Sequence, residues 1–279
     1  MGSPWAARGS GPAIVSRLYH GVVNGTFSVI IPTLQRSTLL EPLVAMYSAH
    51  PMVAEVLIIN NAQKPLAFDD PKVRVFDQSQ NLFVNPSWNL GVREARADRL
   101  IISNDDILFP PHVIDSVAAR LGPHVGIVGP HTSCFGPRTR SRIWYTPTYE
   151  RTTAYGTLMF MARADYTPIP ERMKVWCGDD YLFYRQRGRN LALRGVTISS
   201  EMSVTAGAAE FRHQLNEDWA HYLADFTSER PYSRRYAREA QMVVRAIILR
   251  QWLRRSASLA RAWIRPCLGG LRRIIGRSF

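Results

Sequence analysis

Arg99-Leu-Ile-Ile-Ser-Asn-Asp-Asp106 is a short apolar run that ends abruptly in an amide and two carboxylates, and it decides how the rest of the chain is read. A carboxylate at the end of a buried strand is costly to desolvate, so such a pair serves a metal, a cation or a reaction. The pattern recurs upstream. In Phe27-Ser-Val-Ile-Ile-Pro-Thr-Leu-Gln-Arg36 the apolar strand Val29–Ile31 stops at Pro32. Glu55-Val-Leu-Ile-Ile59 runs into Asn60-Asn61, and Val73-Arg-Val-Phe76 forms a third candidate strand. Between these runs, Leu39, Leu40, Leu43, Val44 and Tyr47 recur at helical spacing, and residues 85–97 read as a helix with Pro86 near its start. Residues 112–121 read as another helix, and Val125–Val128 as a fifth strand.

Strands alternating with helices predict an α/β fold, a mainly parallel sheet flanked by helices with right-handed crossovers. Ligands of such sheets bind outside the carboxyl ends of the strands. Pro32-Thr33, Asn60-Asn61 and Asn104–Asp106 all stand at such ends and therefore face one site. Residues 131–153 carry Gly136, Pro137, Pro147 and the alternate arginines Arg138, Arg140 and Arg142. They read as an irregular connection over the site, whose arginines either clamp an anion or are simply solvated. A strand is expected at Thr157–Ala162. A second acidic pair, Gly178-Asp179-Asp180, opens a helix expected over 180–187.

The formal net charge is +13, but residues 230–279 hold 13 of the 35 basic residues and only one of the 22 acidic ones, Glu239. The body is close to neutral. That placement argues against a nucleic-acid-binding surface over the whole molecule and for a basic tail that meets an anionic membrane or a polyanion. Within the tail, residues 236–264 show apolar positions at helical spacing, including Trp252 and Trp263, interleaved with arginines. The expected organisation is a loose leader at 1–24, a catalytic domain at 25–229 and a basic amphipathic helical extension at 230–279. Cys134, Cys177 and Cys267 are far apart and form no C-x-x-C pair, which fits a reducing compartment and neither a zinc site nor a disulfide framework. No apolar run is long enough to span a bilayer.

Taken in order, these motifs resemble the family 2 glycosyltransferases of the GT-A (Rossmann-like) fold over roughly residues 26–205. Phe27–Arg36 is similar to that family's first strand, with Asn81-Leu82 and Asn89-Leu90-Gly91 similar to its N-x-G elements. Ser103–Asp106 is similar to its metal-binding D-x-D element, and Gly178-Asp179-Asp180 followed by Arg185 to its acidic catalytic element. The sequence departs from the family at Asn60, where the usual residue is Asp, and at Asn104, the first acidic position of D-x-D. It also departs at Ser200, in the place of a metal-binding His.

The resemblance implies a transferase that takes a sugar from a nucleotide-diphosphate donor to a hydroxyl of a glycan or lipid-linked acceptor, with inversion, in cell-surface polysaccharide or glycolipid assembly. Pro32, Thr33, Arg36, Asn60, Asn89, Asn104 and Asp105 are its candidate donor-binding residues. A divalent cation, Mn²⁺ or Mg²⁺, would neutralise the leaving diphosphate. Asp106 is its expected ligand, with His213 or Glu201 in place of the missing His. Asp180 is the candidate general base, Asp179 its partner, and Trp176 and Gly178 the acceptor side. Partners would be the donor, the acceptor, an anionic membrane surface reached by 236–279 and a second copy of the chain, at the inner face of a membrane. A catalytically inactive sugar-binding relative and a basic-tailed nucleic-acid-binding protein remain as alternatives.

Overall fold

The computed structural model describes residues 27–136, 142–201 and 212–226, together with Met242. The leader and, apart from Met242, the basic tail lie outside the described residues, as do Arg138 and Arg140. The chain begins with β1 (Phe27–Thr33), α1 (Leu40–Ala49), β2 (Val53–Asn60), β3 (Val73–Asp77), α2 (Val84–Glu94) and β4 (Arg99–Ser103). Then come β5 (Ile107–Leu108), α3 (His112–Arg120), β6 (Val125–Pro130), β7 (Trp144–Pro147) and β8 (Leu158–Ala162). The remainder is α4 (Gly178–Tyr184), β9 (Arg189–Arg194), β10 (Ser199–Ser200) and α5 (Arg212–Phe226).

Eight strands form one sheet in the order β3-β2-β1-β4-β8-β6-β9-β7. The block from β3 to β4 is parallel, as the alternation of strands and helices predicts. The other half is mixed. β8 runs antiparallel to both β4 and β6, β9 is parallel to β6, and β7 pairs antiparallel with β9 at the edge. Residues 144–147 therefore make an edge strand inside the segment read from sequence as irregular.

Each central strand is buried on both faces, so its apolar residues divide by parity. Val29, Ile31, Val56, Ile58, Ile101 and Phe160 join α1 and α3 in one core layer. Ile30, Leu57, Leu100, Ile102, Met159 and Met161 join α2, α4 and Tyr222 of α5 in the other. A Cβ at Gly91 would collide with Ile30, so glycine lets α2 lie close on β1. Expected helices and strands appear within a few residues of their predicted bounds. α4 starts at Gly178 and ends at Tyr184, shorter than predicted.

At the amino ends of the parallel strands sits Glu55, buried at 4 % exposure. It accepts hydrogen bonds from Ser28 Oγ (2.7 Å), Arg96 N (2.6 Å) and Arg74 Nη1 (2.8 Å). Burial opposes its charge, but these donors win and hold its carboxyl below the usual range.

Candidate active site

The carboxyl ends of β1, β2 and β4 open onto a cleft of about 470 Å³. Pro32 and Thr33 end β1 and Leu34 follows it, Asn61 follows β2, and Asn104, Asp105 and Asp106 follow β4. The opposite wall brings Arg151, Trp176, Asp179 and Asp180, with Leu215 and Trp219 from α5. The two acidic clusters, over seventy positions apart in sequence, thus share one cavity.

On the strand-end wall, Asp105 Oδ2 accepts from Thr33 Oγ1 at 2.5 Å. Burial pushes the Asp105 carboxyl up to about 6 against that bond, with neighbouring Asp106 adding to the rise. Burial also raises Asp106, and Glu201 adds to it. Among the described residues, Asp106 Oδ1 is buried without a hydrogen-bond partner. A buried carboxylate oxygen left unsatisfied is costly unless a ligand completes it.

On the facing wall, Arg151 Nη1 lies 3.1 Å from Asp179 Oδ2, and Arg151 Nε donates to Asp180 Oδ1 at 2.6 Å. Burial outweighs the guanidinium at Asp179 and pushes its carboxyl up to about 6, Asp180 contributing in the same direction. The pair sits in the first turn of α4, where the helix dipole favours negative charge. Neither carboxylate caps that helix. The preceding residue is Cys177, left-handed at φ 61°. Its thiol is pushed up to about 12, first by burial and then by Asp180 and Asp179, so it stays protonated and is no nucleophile.

Three of the non-glycine residues at positive φ line this cleft: Phe83 (68°), Ala154 (67°) and Cys177 (61°). Such conformations cost on the order of 1–3 kcal/mol each and persist where the surroundings impose them. For Phe83 the imposing groups are visible. Its N–H donates to Asn81 Oδ1 at 2.8 Å, its carbonyl accepts from Ser87 Oγ, and Lys174 Nζ stands 5.1 Å from its ring centroid.

Of the residues singled out from sequence, Pro32, Thr33, Asn104, Asp105, Asp106, Trp176, Asp179 and Asp180 border the cleft. Seven others do not. Asn60 spends its amide on Asp77 Oδ1 (2.6 Å), Lys64 O (2.7 Å) and Gln35 Nε2 (3.0 Å), while Asn61 takes the place on the cavity wall. Asn89 is occupied by Tyr166 and Ile169, with Nδ2 to Ile169 O at 2.7 Å. Arg36 is exposed outside the cleft. Gly178 is buried, and a Cβ there would collide with the side chain of Asn85, so its role is close packing. His213 is 86 % exposed and faces Glu217 Oε1 at 3.5 Å on its own helix. Glu201, the other stand-in for the missing His, is held by Thr38 Oγ1 (2.5 Å) and Ser37 Oγ (2.8 Å). Arg142 is exposed and does not reach the cavity.

Sequence reading missed Arg151 as the basic partner of the acidic pair. Only its place near the end of the connection over the site, residues 131–153, pointed to it.

Among the described residues, no group of three or more His, Cys, Asp or Glu side chains is arranged to enclose a metal ion. A full protein cage is not required. Mg²⁺ and similar hard cations commonly bind one or two carboxylates and complete their shell with water and substrate phosphate oxygens. The unpartnered Asp106 oxygen, with Asp105 beside it on an open cleft, suits that mode.

Solved structures similar to this chain include the following three. TarS of S. aureus in complex with UDP is 14 % identical with a TM-score of 0.48, covering 61 % of this chain and 59 % of that one. The mannosyltransferase PcManGT from Pyrobaculum calidifontis, solved with GDP-Man and Mn²⁺, is 15 % identical with a TM-score of 0.48, covering 71 % and 64 %. GalNAc-T7 with UDP, GalNAc and Mn²⁺ is 12 % identical with a TM-score of 0.45, covering 63 % and 43 %. The match thus spans less than two thirds of each of those chains. Among curated proteins none matches the sequence. Residues 28–170, half of the chain, match the family described as Glycosyl transferase family 2, and the chain belongs to that family.

Proposed function

We propose that the protein transfers a sugar from a nucleotide-diphosphate donor to a hydroxyl of a glycan or lipid-linked acceptor. The observation that carries this reading is the cleft itself. It joins a strand-end wall with an unpartnered Asp106 oxygen to a facing wall with the Asp179–Asp180 pair.

The donor's nucleotide would lie along Thr33 and Asn104, with Asn61 shaping the wall while its amide is held by Ser87 Oγ (3.0 Å) and Leu82 N (2.9 Å). Asp106, with Asp105, would hold a divalent cation, which supplies positive charge to the departing diphosphate. Asp180 is the general base. Its Oδ1 is engaged by Arg151, which holds the carboxylate in place on the cleft wall. In the reaction, Asp180 takes the proton of the acceptor hydroxyl, whose oxygen then bonds to the anomeric carbon. The bond from that carbon to the diphosphate breaks, and the nucleoside diphosphate leaves with both electrons. Displacement from the opposite side inverts the anomeric configuration, in line with the family resemblance. Asp179 holds Arg151 in place and contacts acceptor hydroxyls beside Trp176. The basic segment 236–279, which lies outside the described residues, is the proposed contact with an anionic membrane surface where a lipid-linked acceptor would reside. No helix among the described residues is long and apolar enough to cross a membrane.

The test is a donor panel that includes UDP-GlcNAc and GDP-mannose, with Mn²⁺ or Mg²⁺ and mixed glycan and lipid acceptors, scored by nucleoside diphosphate release. Release from one donor, lost on chelation and in Asp180→Asn, supports the reading. Binding of donors without turnover points to a sugar-binding relative.

A further inference from the structure

We propose that Asp218, from α5, is a positioning residue for the catalytic carboxylates: it fixes the backbone of residues 174–176 and with it the turn that presents Trp176, Asp179 and Asp180. The inference rests on the assignment of Asp180 as base.

Asp218 is fully buried, at 0 % exposure. A lone carboxylate is rarely placed there unless hydrogen bonds hold it. Its Oδ2 accepts from Val175 N and Trp176 N, both at 2.7 Å, and its Oδ1 from Lys174 N and Gln214 Nε2, both at 2.9 Å. Three successive backbone N–H groups thus converge on one side chain more than forty residues away. The carbonyls of the same stretch are held from the other side by Asn85 of α2. Asn85 Nδ2 donates to Met173 O and Trp176 O, both at 3.1 Å, and Asn85 N donates to Lys174 O at 2.9 Å. The loop has no regular secondary structure, yet the N–H groups of 174–176 and the carbonyls of Met173, Lys174 and Trp176 are held by two side chains and one amide from distant elements.

The loop leads directly into the site. After Trp176 comes the left-handed Cys177, whose carbonyl accepts from Tyr181 N at 2.8 Å and starts α4. Gly178 then packs against Asn85 with no room for a Cβ. A shift of residues 174–176 is therefore transmitted to the acidic pair through two residues with little freedom. Helix α5, which carries Asp218, also lends Leu215 and Trp219 to the cleft wall, 41 % and 49 % exposed. The family match ends at residue 170, so this clamp lies beyond it.

Asp218→Asn is nearly isosteric but turns an NH₂ toward backbone N–H donors, so it breaks half of the clamp. The expected result is a kcat lower by about 100-fold, the scale of a misplaced catalytic group. Affinity for the nucleoside diphosphate with Mn²⁺ stays within about twofold, because the strand-end wall is untouched. Glu55→Gln is the control for stability loss alone, since it disturbs a buried carboxylate remote from the cleft and leaves kcat unchanged. Amide hydrogen exchange on the wild-type chain provides a readout that needs no turnover: the amides of 174–176 are protected, and Asp218→Asn releases them. Fast exchange of those amides in the wild type, an unchanged kcat in Asp218→Asn, or a parallel fall of kcat and donor affinity would overturn the proposal. Should Asp180→Asn keep full activity, the base assignment fails, while the exchange data still decide the clamp.

Discussion

The two ends of the parallel strands treat buried carboxylates in opposite ways. At the amino ends, Glu55 has three donors within 2.8 Å and is held below its usual range. At the carboxyl ends, Asp105 is pushed up to about 6 and Asp106 keeps an oxygen without a partner among the described residues. Across the cleft Asp179 also sits at about 6, although it faces an arginine. A carboxylate whose lone pairs are filled by its own chain is stabilising structure. One that the fold buries and leaves incomplete stores a cost that a ligand can relieve, which makes it a candidate for function.

The sharpest way to break this contrast is to remove carboxylates at each end. Asp180→Asn is expected to lower kcat by about 1000-fold with donor binding retained, within the range for loss of a general base. Asp106→Ala is expected to lower turnover by about 100-fold and to abolish the metal dependence of donor binding, as judged by calorimetry with and without Mn²⁺. Glu55→Ala should leave kcat alone and lower unfolding stability by about 3 kcal/mol in denaturant titration, because Arg74 loses its buried partner.

A pH series separates the two ends by sign. Asp105 and Asp179 are protonated in the folded chain below about 6 but in the unfolded chain only near the ordinary carboxylate value of 3.8. The folded state therefore takes up protons as the pH falls through 6, and these two groups make it more stable over that interval while activity declines. Glu55 acts oppositely. Its folded value lies below the ordinary 4.5, so its contribution is complete above that value and is lost as the pH falls through the lower folded value. A melting temperature that rises slightly from pH 7 to 5 and then drops is the expected profile.

The features legible in the sequence are those whose signal is local. Ile101-Ile102 followed by Asp105-Asp106 announces a strand end, and Asp179-Asp180 before Leu182-Phe183 announces a helix start, without reference to anything distant. The parallel half of the sheet follows from the same local alternation. Arg151 was not legible, because its pairing with Asp180 depends on how a loop folds over the sheet, and three neighbouring arginines carried a stronger pattern. The choice between Asn60 and Asn61 was also hidden. Adjacent side chains at a strand end leave on opposite sides, and only the paired sheet shows which one faces the cavity. β7 escaped notice for a related reason: a short strand added at a sheet edge owes its existence to tertiary pairing more than to composition.

The most direct test of the central claim measures binding and turnover together in two variants that alter facing walls of the cleft. If one wall holds the donor and the other carries out the chemistry, Asp180→Asn binds the nucleoside diphosphate with Mn²⁺ as the wild type does and does not turn over. Asp106→Ala then loses the metal-dependent part of that binding. If instead Asp180→Asn turns over normally, or Asp106→Ala binds with undiminished metal dependence, the division of the cleft into a donor wall and a catalytic wall is wrong.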